Sequence, residues 1–182
     1  MKIFGLGLSK TGTRSLAKAL SILGYKTIHY PWSMKDIDEH EASLDIPVAC
    51  RYKELDRMYP GAKFILTIRP FDEWMERRRQ KPPDPHTPPA WKLETRRLMY
   101  GDVQFNEELY AAAYHRHHKD VMDYFADRSA DLLILPLATT NKWGMLCAFL
   151  QKPIPDVEYP WEGKAGYDPL LGRLAPARRM FI

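Results

Sequence analysis

Residues 3–25 read IFGLGLSKTGTRSLAKALSILGY: an apolar run, a Gly/Thr loop carrying Lys10, then apolar residues at helical spacing. Leu16, Ala19, Leu20 and Leu23 share one helix face, and Gly24 is a suitable C-terminal stop. A strand that passes through such a loop into a helix builds an anion cradle. The loop presents backbone N–H groups and hydroxyls, and the helix N-terminus adds unpaired donors and the positive end of its dipole. The stretch therefore predicts a ligand that carries phosphate.

Its spelling excludes two common phosphate loops. In the Walker A pattern Gly7 and Gly12 would be correctly separated, but Thr13 and Arg14 stand where Lys and Ser/Thr are required. The dinucleotide pattern begins with Gly5 and Gly7 and then meets Lys10 in place of its third glycine. What remains is Lys-Thr-Gly-Thr-Arg-Ser, with the lysine ahead of the glycine and inside the turn.

Outward from this loop, strands and helices alternate. YKTIHY (25–30) predicts a short strand, and residues 31–46, polar and poorly periodic, predict a loop or short helix. A helix is expected from about Val48 to Tyr59, closed by Pro60-Gly61. KFILTI (63–68) is the strongest buried-strand signal, with Arg69 at its carboxyl end and Pro70 opening a helix that buries Phe71, Trp74 and Met75. Five prolines in residues 80–90 exclude helix and central strand there, leaving a stiff surface loop. Helices over Trp91–Tyr100 and Phe105–Asp127, the strand LLILPL (132–137), a helix over Lys142–Leu150 and a Pro-rich coil complete the chain. The pattern predicts one α/β domain over residues 1–182, a three-layer α/β/α sandwich around a mainly parallel sheet. Its ligand should lie at the strands' carboxyl ends.

With 182 residues there is room for one core. A net charge of +4 suits an anionic ligand and is too small and too dispersed to indicate nucleic-acid binding. The basic tail GRLAPARRMFI (172–182) reads as solvated. Cys50 and Cys147, far apart in sequence, form neither a disulfide framework nor a zinc spacing. No apolar run reaches bilayer length and the first strand starts at Ile3, so a cytoplasmic protein without membrane association is expected. In His115, His117 and His118, helical geometry sends 117 away from the other two. No cysteine or carboxylate pair completes a metal site, and His117 is placed toward the sheet.

The Lys-Thr-Gly-Thr-Arg-Ser loop resembles the 5′-phosphosulfate loop of sulfotransferases, a branch of the P-loop fold that binds 3′-phosphoadenosine 5′-phosphosulfate. KFILTIRPFDEWMERR (63–78) resembles the segment in which those enzymes follow a central strand with an Arg for the nucleotide's 3′-phosphate. Further phrases resemble a bacterial-type branch in its order: Asp45-Ile46-Pro47, YPGAKFILTIR (59–69), Tyr114 and His117 with Val121, Tyr124 and Phe125, and WGMLCAFLQKPIP (143–155). Two positions depart from it. Arg77 stands where relatives place a Ser on the 3′-phosphate, and Tyr159-Pro160-Trp161-Glu162-Gly163 lacks the family's Asn.

The resemblance implies sulfuryl transfer from 3′-phosphoadenosine 5′-phosphosulfate to a hydroxyl or amine of a small molecule or glycan, without a metal. It places Lys10 on the bridging oxygen and the 5′-phosphate on Thr11, Gly12, Thr13 and Arg14, including the Thr11 and Thr13 hydroxyls. Arg69 and Arg77 fall at the 3′-phosphate. The general base stays open among Asp45, His29, Glu39, His40 and Glu41, with Asp45 and His29 foremost. Two rivals remain: a nucleotide-binding homologue without catalysis, and a P-loop phosphotransferase. Against the latter, no apolar strand ends in an Asp suited to magnesium.

Overall fold

Strands buried on both faces read as continuous apolar runs, and their alternating side chains must find cover on two sides. The computed structural model, which describes residues 1–84 and 89–162, meets that demand with one parallel sheet. Its strands are β1 (Ile3–Gly5), β2 (Thr27–His29), β3 (Ala42–Leu44), β4 (Lys63–Ile68) and β5 (Leu132–Pro136), in the order β2-β3-β1-β4-β5. Helices occupy both faces. They are α1 (Thr13–Ile22), α2 (Met34–Glu39), α3 (Ile46–Ala49), α4 (Tyr52–Met58), α5 (Phe71–Gln80), α6 (Ala90–Tyr100), α7 (Glu107–Tyr124) and α8 (Lys142–Leu150).

On one face Ile3, Leu44 and Ile65 pack with Leu16 and Leu20 of α1 and Leu146 and Leu150 of α8. On the other, Phe4, Phe64 and Leu66 pack with Tyr52 and Leu55 of α4 and with Val121 and Phe125 at the end of α7. A third apolar cluster joins α3, α5, α6 and α7 beyond the strands' carboxyl ends, with Leu8, Trp74, Tyr100 and Tyr110 at its centre. β1 lies between β3 and β4, so the chain leaves the sheet there in two opposite directions. A parallel α/β sheet places its ligand crevice at such a switch point.

Most expected elements form, and KFILTI and the helix at 142–150 keep their expected bounds. Residues 31–46 hold more than a loop or short helix. Ser33 and Asp36 close a capping box on α2, and Ala42–Leu44 then inserts as β3 between β2 and β1. Three residues flanked by charges carry no period-2 signal; pairing on both edges makes them a strand. The helix expected over 48–59 is two, interrupted at Cys50–Arg51. The long helix ends at Tyr124 and passes into a 3₁₀ segment, Ala126–Asp131. The coil after α8 is described to Glu162, while the basic tail at 172–182 and residues 85–88 of the Pro-rich loop lie outside the described residues.

Candidate functional site

The loop between β1 and α1 is set by close packing. A Cβ on Gly7 would lie 1.8 Å from Thr67 Oγ1, so only glycine lets the loop leave the sheet against β4. Gly12, at φ 99°, caps α1 without a side-chain hydrogen bond. Among the described residues the N–H groups of Gly12, Thr13, Arg14 and Ser15 have no acceptor. The loop carbonyls, by contrast, are engaged. Leu8 O accepts from Thr11 Oγ1 at 2.7 Å, Ser9 O from Trp74 Nε1 at 3.0 Å and Arg78 Nη2 at 2.8 Å, and Lys10 O from Arg69 Nε at 2.8 Å. Three consecutive carbonyls held by side chains, followed by four free N–H groups, make an anion nest.

The expected hydroxyl contacts are arranged otherwise. Thr11 is wholly buried, and its Oγ1 also lies 2.7 Å from Thr67 Oγ1, so this hydroxyl braces the loop from inside. Thr13 Oγ1 donates to Asp45 Oδ2 at 2.8 Å. Thr13 thus contributes a free N–H while its hydroxyl is engaged.

Asp45 is the hub of the site. Its carboxylate is buried and accepts from Ser9 Oγ (2.6 Å), Ile46 N (2.7 Å), Thr13 Oγ1 (2.8 Å) and His29 Nε2 (3.0 Å). Burial alone would raise its pKa; the hydrogen bonds and charge of His29, with those of Ser9 and Ile46, outweigh burial and bring it to about 2. Its backbone, at φ 84° and ψ −175°, occupies a region almost reserved for glycine. Because the Thr13 hydroxyl donates to Asp45, the His29 nitrogen 3.0 Å from Thr13 Oγ1 must itself donate. The Nε2 proton of His29 therefore faces Asp45 and Thr13. Nδ1 has no partner among the described residues.

Cations gather around the loop. Lys10, at φ 77°, has a lowered pKa, first because its ammonium is partly desolvated and then through Arg78, Arg14 and Lys81, with Asp45 opposing. Arg14 is exposed in the first turn of α1. Arg69 is half-buried, pairs with Glu73 at 3.3 Å and keeps Nη2 without a partner among the described residues. Arg77 is exposed and lies near enough to Arg69 to lower its pKa, after desolvation and against Glu73.

The sequence reading missed Arg78. The buried face of α5 runs through Trp74 and Met75 and continues one turn later at Arg78, not Arg77. That face repeats at i, i+4 and i+7 from Phe71, which is the signal that could have found it. Also missed were Ser9, Thr67 and Tyr100, whose roles depend on contacts between distant segments.

Two recesses flank the cradle. One, open and of about 330 Å³, runs along α1 between Arg14, Lys18, Thr27, His29 and Glu162. The other is a narrow cleft among Gly12, Ser15, Thr67, Leu137, Lys142 and Tyr159. The C-terminal coil reaches the first through Glu162, whose N–H donates to Ser15 Oγ at 2.9 Å. Glu39 and Glu41, two of the other base candidates, are exposed. His40 Nδ1 bonds Asp36 O and Glu41 Oε2 accepts from Lys26 N, which ties His40 to α2 and Glu41 to the segment entering β2. His117 is buried against Leu6 O, as its spacing suggests, and burial lowers its pKa to about 4. Among the described residues no group of three or more His, Cys, Asp or Glu is placed to hold a metal, and no helix is long and apolar enough to cross a membrane.

A strand–loop–helix turn with free N–H groups, set at the switch point of a parallel sheet, defines an α/β protein of the open-sheet class. The family follows from comparison. A family model described as a sulfotransferase domain matches residues 2–40 and 34–166, and the chain belongs to that family. A protein of Aspergillus versicolor named Ava biosynthesis cluster protein M is 24% identical over 212 aligned positions, covering 88% of this chain and 80% of its own length.

Proposed function

We propose that the protein transfers a sulfuryl group from 3′-phosphoadenosine 5′-phosphosulfate to a hydroxyl or amine of a small molecule. The observation that carries this reading is the row of free N–H groups at Gly12–Ser15 beside the Lys10 and Arg14 side chains. A doubly charged group needs both, and the residues present fit it. Likeness to a protein named for a biosynthesis cluster favours a small-molecule acceptor over a glycan.

When bound, the nucleotide supplies the sulfuryl group; the chain supplies position, charge and a proton acceptor. The Gly12–Ser15 N–H groups hold the 5′-phosphate. Lys10 neutralises charge on the leaving oxygen, where electrostatic stabilisation matters most. Arg69, through Nη2, and Arg77 beside it bind the 3′-phosphate. His29 accepts the acceptor's proton at Nδ1, while Asp45 holds the opposite ring nitrogen protonated, the division of labour seen wherever a carboxylate orients a catalytic imidazole. Asp45, ionised and saturated with donors, positions His29 and takes no proton itself. The open recess at His29 receives the acceptor.

Calorimetric titration with adenosine 3′,5′-bisphosphate beside 5′-AMP and ATP tests the site. Preference for the bisphosphate supports it; preference for ATP or no binding overturns it. Lys10→Ala is expected to lower turnover about 100-fold or more with little change in affinity. Arg69→Ala should abolish discrimination between the bisphosphate and 5′-AMP. A second reading, nucleotide binding without transfer, is favoured by Arg77, whose side chain stands exposed where the family's Ser binds phosphate. Bisphosphate binding with no turnover on any hydroxyl or amine acceptor would select it.

A further inference from the structure

Arg78 is 4% exposed and faces no carboxylate among the described residues. Its guanidinium carbon lies 5.3 Å from the Trp74 ring, 5.2 Å from Tyr100 and 5.5 Å from Tyr110, an aromatic box in which Tyr100 and Tyr110 stack at 4.2 Å. Nη2 donates to Ser9 O and to Tyr100 Oη, both at 2.8 Å, while Nε is buried without a partner among the described residues. A buried cation of this kind is costly, because ring faces and two neutral acceptors replace only part of its hydration. A neutral apolar side chain at this position would pack α5 more easily. The arrangement makes sense if the charge acts on what lies next to it, and that is the Ser9–Lys10 peptide.

We infer that Arg78 is a positioning residue for the anion cradle: it fixes the Ser9 carbonyl from behind, so that Lys10 and the N–H groups after it are set before any anion arrives. Trp74 Nε1 shares the same carbonyl and Arg69 holds the next one, so α5 and its approach grip two successive loop carbonyls. The charge of Arg78 also opposes the Lys10 ammonium. The groups facing that ammonium are Arg78, Arg14, Lys81 and Asp45, three cations against one carboxylate. The bound anion is then the counter-charge that the cluster lacks. This inference rests on the reading of the cradle as an anion site; it adds a residue which touches neither substrate nor reacting atoms.

The test compares wild type, Arg78→Met and Arg78→Lys by titration with adenosine 3′,5′-bisphosphate. It also follows Lys10 ammonium titration and the Ser9–Gly12 amide shifts by NMR in the ligand-free protein. Arg78→Met should weaken binding about tenfold or more, move the loop amide shifts and raise the Lys10 pKa. Arg78→Lys keeps the charge and loses the two-point grip. It should leave the Lys10 titration near that of wild type and still weaken binding. Tyr100→Phe, which removes one acceptor and keeps the box, stands in if Arg78→Met does not fold, and should move the same loop amides. Affinity within twofold of wild type in the folded variants, with loop shifts and Lys10 titration unchanged, overturns the inference. If wild type itself binds no bisphosphate, the proposed function fails, and the ligand-free NMR readouts still decide the role of Arg78.

Discussion

The two halves of the sheet end differently. β1, β2 and β3, three residues each, run out into Lys10, Tyr30 and Asp45, all non-glycine residues at positive φ (77°, 65° and 84°). The longer β4 and β5 end at ordinary backbone, and the remaining such residue among those described, Gln151, sits in the left-handed cap common after a helix. The strained half also holds the buried Asp45 carboxylate and the free N–H groups. Strain survives only where surrounding contacts over-determine it, and here it collects on the side of the sheet that carries the anion nest. β4 braces that loop through Thr67 on Thr11, and the Leu137 N–H on Ile68 O at 2.7 Å ties β5 to β4 beside it.

The strongest way to break this contrast is to remove its hub. Asp45→Ala strands the Ser9, Thr13, His29 and Ile46 donors, and urea unfolding should show a loss of about 3 kcal/mol or more. Thr139→Ala, in the relaxed half, should stay within about 0.5 kcal/mol. Next is the brace. Gly7→Ala forces a methyl into Thr67 and Thr11 and should cost about 2–3 kcal/mol together with anion binding, read by melting with and without the bisphosphate.

Acid sharpens the contrast further. The Asp45 carboxyl has a lower pKa folded (about 2) than its ordinary value of 3.8, so its contribution to stability is complete above about pH 4 and is lost as pH falls toward about 2. Stability should fall by on the order of 2 kcal/mol over that window, and Asp45→Asn should remove the dependence. The smallest effect has the opposite sign. Lys10→Gly suits φ 77° and relieves repulsion from Arg78, Arg14 and Lys81, so thermal unfolding should show a gain of about 1 kcal/mol while turnover disappears. A destabilised Lys10→Gly would mean that the loop is relaxed and that the two halves differ less than the backbone angles suggest.

The relaxed half was the legible one. KFILTI and Lys142–Leu150 announce themselves by apolar content and period, and their bounds hold in the fold. In the strained half the loop itself was legible, because Gly7, Lys10 and Gly12 stand close in sequence. β3 was not: three residues amid charges gain strand character from neighbours on both edges. Neither was the contact between His29 and Asp45, which meet only once β2 and β3 pair in register, His29 opposite Leu44. Arg78 fell between. Its helical phase was readable, but the burial of a guanidinium depends on Tyr100 and Tyr110 from two other helices.

The engaged carbonyls of Leu8, Ser9 and Lys10 bear on when the loop loses its freedom. Ordering backbone costs roughly 1–2 kcal/mol per residue. In a loop gripped this way that entropy is surrendered during folding, alongside the core, and little is left to subtract from the affinity of the proposed anion. Association with the proposed anion would then need no slow ordering step.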